Sequence, residues 1–224
     1  MSRTRIKICG VTRVEDAMVA AKAGADAIGL VFHPPSPRFV SIEHALAICN
    51  AMPPFVSTVA LFVNAPPATV LATIEALRPS MLQFHGDELE PYCAQFGMPY
   101  LKAIRIDGRM QPDDLLECET QFRSARALLL DTLTPNLYGG SGERFDWNLI
   151  PPSMRGRIVL SGGLNPLNVG QAIESIRPWA VDVSSGVEVD KKVAKKIDGK
   201  ADEKGIKDHR KIEQFIEAVQ NANV

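Results

Sequence analysis

IKICG (Ile6–Gly10), VEDAMVAAKA (Val14–Ala23) and AIGLVF (Ala27–Phe32) follow one another near the start of the chain. Two short β-branched or apolar runs flank a longer amphipathic one, the pattern of a strand, a helix and a second strand lying parallel to the first. The alternation then repeats. Further candidate strands are Val56–Val63, Met81–His85, Tyr100–Ile106, Ala127–Asp131, Arg157–Ser161 and Ala180–Ser184. Helical patterns fall at Ser41–Ala51, Pro66–Leu77, Leu89–Phe96, Pro112–Phe122, briefly near Trp147, then at Asn165–Ile176 and Asp208–Asn221. Helix-start residues stand where this needs them: Ser41, the pair Pro66–Pro67, and Asn165–Pro166. Eight β-then-α units in 224 residues predict a closed parallel (β/α)8 barrel, the TIM-barrel architecture, as a single domain over residues 1–224. The rival is an open Rossmann sheet, and no GxGxxG follows the first strand to support it.

The bulk numbers narrow the function. A formal net charge of −1 supplies no field to recruit nucleic acid or an acidic membrane surface. The longest apolar runs, such as Val56–Val63, fall far short of a bilayer span, and MSRTRIKICG carries no signal pattern, so a cytoplasmic address is expected. The four cysteines (Cys9, Cys49, Cys93, Cys118) lack CxxC or Cys–His spacing, which argues against a disulfide framework and a structural zinc site. Three lie in helical patterns; Cys9 ends a strand.

In a barrel of this kind the site is built from the C-terminal ends of the strands and the loops after them. That rule selects Cys9, His33, Arg38, His85, Arg105, Asp131, the Ser161–Gly162–Gly163 turn, Asp182 and the Ser184–Ser185–Gly186 turn. The two turns follow the seventh and eighth strands, the usual phosphate site of this fold, where glycine lets main-chain N–H groups approach an anion. Cys9 and Asp131 end the first and sixth strands. Each alone reads as a packed thiol or a loop cap. Together at a barrel mouth they form an acid–base pair suited to an isomerisation. Lys7 shares a strand face with Cys9 and is expected to favour the thiolate.

These residues resemble the phosphoribosylanthranilate isomerase family. The resemblance rests on Lys7–Thr12 (KICGVT), Gly24–Gly29, Ser36-Pro37-Arg38, Gln83–Glu88 (QFHGDE), Leu130-Asp131-Thr132, Gly139–Gly142 with Phe145-Asp146-Trp147, Ser161–Leu164 and Val181–Glu188 (VDVSSGVE), in the family's order from residue 5 to about 216. It implies the cofactor-free Amadori rearrangement of N-(5-phosphoribosyl)anthranilate in tryptophan biosynthesis, with no metal. The implied roles are Asp131 as general acid on the ribose ring oxygen and Cys9 as general base at C2. Arg38 would hold the anthranilate carboxylate and Asp182 a ribose hydroxyl. Gly162, Gly163, Ser184, Ser185 and Gly186 would hold the phosphate. His85 either faces substrate or hydrogen-bonds neighbouring loops. The expected partner is a small phosphorylated molecule, with the chain a monomer or, alternatively, a homodimer.

The chain departs from the family pattern in three places. Phe84 replaces the leucine of a QLHG motif, and GGSG at Gly139–Gly142 replaces GGTG. The Lys-rich stretch DKKVAKKIDGKADEKGIK (190–207) replaces a short Pro-Gly connection; its composition reads as a solvated loop, or alternatively as a basic flap over phosphate. Competing functions are a histidine-pathway barrel isomerase, which has an aspartate where Cys9 stands, and indole-glycerol-phosphate synthase, which uses strand-end lysines. A barrel that only binds a phosphosugar is the third alternative, and it would not need the acid–base pair.

Overall fold

A computed structural model describes residues 3–132, 145–190 and 205–222. Parallel strands close on themselves in chain order: β1 (Arg5–Cys9), β2 (Ala27–Val31), β3 (Ser57–Phe62), β4 (Met81–Phe84), β5 (Tyr100–Ile106), β6 (Ala127–Thr132), β7 (Val159–Leu160) and β8 (Ala180–Val183). β8 pairs back onto β1, with Lys7 opposite Asp182. Helices α1 (Val14–Ala23), α2 (Ile42–Ala51), α3 (Pro67–Leu77), α4 (Glu90–Ala94), α5 (Pro112–Gln121), α6 (Val169–Ile176) and α7 (His209–Asn221) surround the barrel. The expected (β/α)8 architecture is the one observed.

Strand alternation sorts the side chains into two cores. Ile6, Ile8, Ile28, Leu30, Phe62, Leu82, Phe84, Leu130, Leu160 and Val181 join the core between strands and helices. The opposite faces of the strands fill the barrel. Leu101, Ala103, Leu129, Val159 and Ala180 pack its lower part, with Met81 and Ala127 against them. A packed floor of this kind leaves chemistry only at the mouth. Moving up the inner faces, the residues become Cys9, His85, Arg105, Asp131, Ser161 and Asp182. The alternation also accounts for Phe84: its ring lies outside, 5.8 Å from Phe96 and from Tyr100, while Gln83 and His85 take the inner face. The substitution of phenylalanine for leucine there changes the helix-facing core and leaves the mouth alone.

The helices are placed by local signals. Ser41 Oγ accepts from His44 N at 3.3 Å to start α2, and the Asp208 carboxylate accepts from Arg210 N and Lys211 N to start α7. α7 buries Ile212, Phe215, Ile216 and Val219, one stripe at helical spacing, against α1 and β1. Each such side chain contributes roughly 1.5–3 kcal/mol of burial. α6 begins at Val169, later than the Asn165 start expected from sequence. Asn165 and Asn168 instead close local turns: Asn168 Oδ1 accepts from Asn165 N at 2.8 Å, and Asn165 Oδ1 from Leu167 N at 2.9 Å. Side-chain bonds of this type compete with the helix ladder.

Among the described residues, no helix is long and apolar enough to cross a membrane, and no group of His, Cys, Asp and Glu is arranged to hold a metal. The Gly139–Gly142 motif and most of the Lys-rich stretch, 191–204, lie outside the described residues.

Candidate active site

Cys9 is buried on the inner face at the top of β1, two residues above Lys7. The two side chains run together: a Cβ placed on Gly29 of the adjoining β2 would lie 2.7 Å from Cys9 Sγ and 3.1 Å from Lys7 Cε. Lys7 Nζ donates to Asp182 Oδ1 at 2.7 Å, both side chains being 5% exposed. Burial pushes the Cys9 thiol up, and Asp182 pushes it further; Lys7, by charge and hydrogen bond, and Lys207 pull it back, with the net direction upward. Lys7 thus acts in the expected direction but does not win. Its own ammonium is held above the usual lysine value: burial opposes the charge, and Asp182 and Cys9 more than restore it.

Asp131 ends the inner face of β6. Its Oδ1 accepts from Thr132 N at 2.9 Å, and its Oδ2 lies 3.1 Å from His85 Nε2. His85 is therefore placed against the strand-end carboxyl of Asp131, a partner that the sequence does not name. The other ring nitrogen, Nδ1, sits 2.9 Å from Gln83 Nε2.

Arg38, in the loop after β2, has its guanidinium clamped: Nε to Glu188 Oε1 at 2.6 Å and an Nη to Glu188 Oε2 at 3.1 Å. Lys207 Nζ, fully enclosed, donates to the same Oε1 at 3.1 Å, and to Ser184 O and Oγ at 3.1 and 3.3 Å. Burial pushes the Glu188 carboxyl up, but Lys207 and Arg38 together bring it below the usual value. For Lys207, burial pushes the ammonium down and Glu188 only partly restores it. The clamp uses one edge of the guanidinium. A planar group with five N–H donors keeps an end-on fork for a second carboxylate.

The two glycine turns meet. A Cβ on Gly186 would collide with the carbonyl of Leu164, so the turn after β8 rests directly on the one after β7. Gly162 has φ +82°, a conformation side chains resist, and its Cα faces Asp131 Oδ1 and Thr132. The two glycine turns and the carboxyl at the top of β6 are contiguous. Ser185–Val187 forms one 3-10 turn.

The remaining strand-end candidates are less central. Arg105 is ion-paired to Asp87 of the loop after β4, and His33 is half-buried, its imidazole pushed down by burial. Cys93 is buried behind the barrel with its thiol pushed up to about 12 by desolvation.

Sequence reading missed Glu188 and Lys207. Glu188 shows in the sequence only as the end of the SSGVE block, and composition places Lys207 with the solvated loop. The structure corrects the second reading at its end: Gly205 and Lys207 are buried, and Lys207 N donates to Asp16. The available signal was position, since Lys207 immediately precedes the α7 cap Asp208.

The family model for N-(5'-phosphoribosyl)anthranilate (PRA) isomerase matches residues 6–218. The chain belongs to the N-(5'-phosphoribosyl)anthranilate isomerase family. It is 49% identical over 223 residues to the isomerase of Pseudomonas fluorescens, covering 100% of this chain and 99% of that one. To the isomerase of Dechloromonas aromatica it is 51% identical over 221 residues, covering 99% and 98%. The crystal structure of phosphoribosyl anthranilate isomerase from Thermotoga maritima superposes with a TM-score of 0.82 at 40% identity, covering 97% of this chain and 99% of that one. A phosphoribosyl anthranilate isomerase in complex with reduced 1-(o-carboxyphenylamino)-1-deoxyribulose 5-phosphate does so at 0.79 and 38%, with the same coverage.

Proposed function

We propose that the chain, acting as one (β/α)8 domain, converts N-(5-phosphoribosyl)anthranilate to 1-(2-carboxyphenylamino)-1-deoxyribulose 5-phosphate, with Asp131 as acid and Cys9 as base. The observation that carries this reading is the contact of the two glycine turns with each other and of Gly162 with Asp131. A phosphate held in those turns sits beside the carboxyl that must reach the sugar ring. A single domain is supported by the continuous core, which draws on residues from Ile6 to Val219.

The chemistry runs in proton transfers. Asp131 gives its proton to the ring oxygen; the C1–O bond breaks, and the anthranilate nitrogen's lone pair makes an iminium. That cation acidifies the C2–H bond, so the Cys9 thiolate can remove the proton, and the electron pair flows to nitrogen. The enolamine then tautomerises to the ketone, with a proton arriving at C1. Nothing is oxidised or reduced overall.

Each surrounding group has a task. Lys7 and Lys207 favour the thiolate against burial and Asp182. A ribose hydroxyl donating to Asp182 would use a lone pair left over from Lys7 and the weak contact from Ser161 Oγ at 3.5 Å. Arg38, fixed from behind by Glu188, presents its free fork to the anthranilate carboxylate. The test is direct: substrate made in situ is consumed with loss of anthranilate fluorescence. No change at micromolar enzyme would refute the assignment.

A further inference from the structure

Gln83 lies on the inner face of β4, fully buried, one position below His85 on that face. Its amide nitrogen is 2.9 Å from His85 Nδ1, while its carbonyl oxygen Oε1, also buried, has no hydrogen-bond partner among the described residues. Buried amide oxygens are seldom left this way, and an exception calls for a reason. Its register partners on the two adjoining strands, Leu61 and Leu101, are apolar, so a nonpolar side chain would suit the position without an orphaned acceptor.

The reason lies in the ring. An amide N–H₂ can only donate, so Nδ1 must be the accepting, unprotonated nitrogen. The ring's single proton is then on Nε2, which donates to Asp131 Oδ2 at 3.1 Å. Thr132 N occupies the other carboxyl oxygen. Each oxygen retains a lone pair on which Asp131 can carry a proton without disturbing either donor. If Nδ1 were also protonated, the ring would become an imidazolium. It would pair with an ionised Asp131, and the transferable proton would sit on the wrong residue.

We propose that Gln83 is a positioning residue that holds His85 as the neutral Nε2–H tautomer, so that the ring donates to the Asp131 carboxylate left behind when the proton passes to the sugar. The inference rests on the reading of Asp131 as the acid and names the group that keeps it competent. Turning the amide over would place Oε1 against Nδ1 and select the opposite tautomer. The two orientations therefore make opposite, observable statements.

The test is nuclear magnetic resonance of protein labelled at its four histidines, His33, His44, His85 and His209, with the His85 signal assigned by its loss in His85→Gln. The expected spectrum shows His85 with Nδ1 unprotonated and Nε2 protonated. Gln83→Glu supplies an acceptor at Nδ1 and should protonate it, with kcat falling by about tenfold or more and KM little changed. Gln83→Met, which removes the donor without burying a charge, should lower kcat by about tenfold, the scale of one hydrogen bond. A protonated Nδ1 in the wild type, or wild-type kcat in both variants, overturns the proposal. Full turnover in Asp131→Asn would instead refute the acid assignment itself, whatever the tautomer.

Discussion

Replacing Glu188 by leucine tests whether the Arg38 clamp is built into the fold. Glu188 holds two cations, Arg38 at 2.6 Å and Lys207 at 3.1 Å, with the three side chains 10%, 12% and 0% exposed. With an effective dielectric of about 20, the gross attractions are about 6 and 5 kcal/mol, partly offset by repulsion between the cations and by desolvation of all three groups. Removing one partner of such a buried pair costs about 3–5 kcal/mol, because the others remain buried and uncompensated. For a domain of this size that lowers Tm by about 6–20 °C. The exposed Arg157–Glu119 pair, 3.0 Å apart with side chains 61% and 33% exposed, is the control. Glu119→Leu should change stability by less than about 1 kcal/mol. Urea unfolding, with Tm by calorimetry, measures both, and KM reports the released guanidinium: it should rise in Glu188→Leu, since Arg38 loses its fixed orientation. Equal midpoints for the two variants, or an unchanged KM, would refute the reasoning. The sign with pH is fixed as well. Glu188 is held below its ordinary value, so its stabilisation is present above the unfolded carboxyl's pKa and lost as pH falls through the depressed one. Acid unfolding should be shallower in the variant.

Lys7→Met should move the rising limb of kcat/KM against pH to higher pH, and Asp182→Asn should move it lower, because the first pulls the Cys9 thiol down and the second pushes it up. The pH dependence of thiol alkylation checks the same order without turnover; shifts of the opposite sense contradict it. Gly186→Ala drives a methyl into the Leu164 carbonyl and should raise KM by roughly tenfold or more by parting the two turns. Gly170→Ala, where an added Cβ meets nothing within 4 Å, should stabilise α6 by up to about 1 kcal/mol with unchanged kinetics, measured by urea midpoint.

Much of this molecule could be read from its residues. Strand positions followed from apolar runs, and the inward row of Cys9, His85, Asp131 and Asp182 followed from strand ends combined with the barrel rule. Local chemistry shifted some boundaries. β7 is only Val159–Leu160, Arg157 N–H closing a turn on Met154 O at 3.0 Å instead of joining the ladder, and α6 starts late because two asparagines close turns first. Long-range charge pairing was hidden. Arg38 and Glu188 are 150 positions apart, and composition assigns Lys207 to water although the fold encloses it. The pairing of His85 with Asp131 needed geometry, since it joins strand ends 46 positions apart that no local pattern connects.

The central claim is that Cys9 and Asp131 divide the proton work in a preformed site. Cys9→Ser and Asp131→Asn, assayed for consumption of N-(5-phosphoribosyl)anthranilate and for affinity toward a product analogue, test it together. Each variant should lose turnover by about 10²–10⁴-fold or more while binding the analogue nearly as tightly as the wild type. Turnover within a few-fold of wild type in either variant would contradict the account.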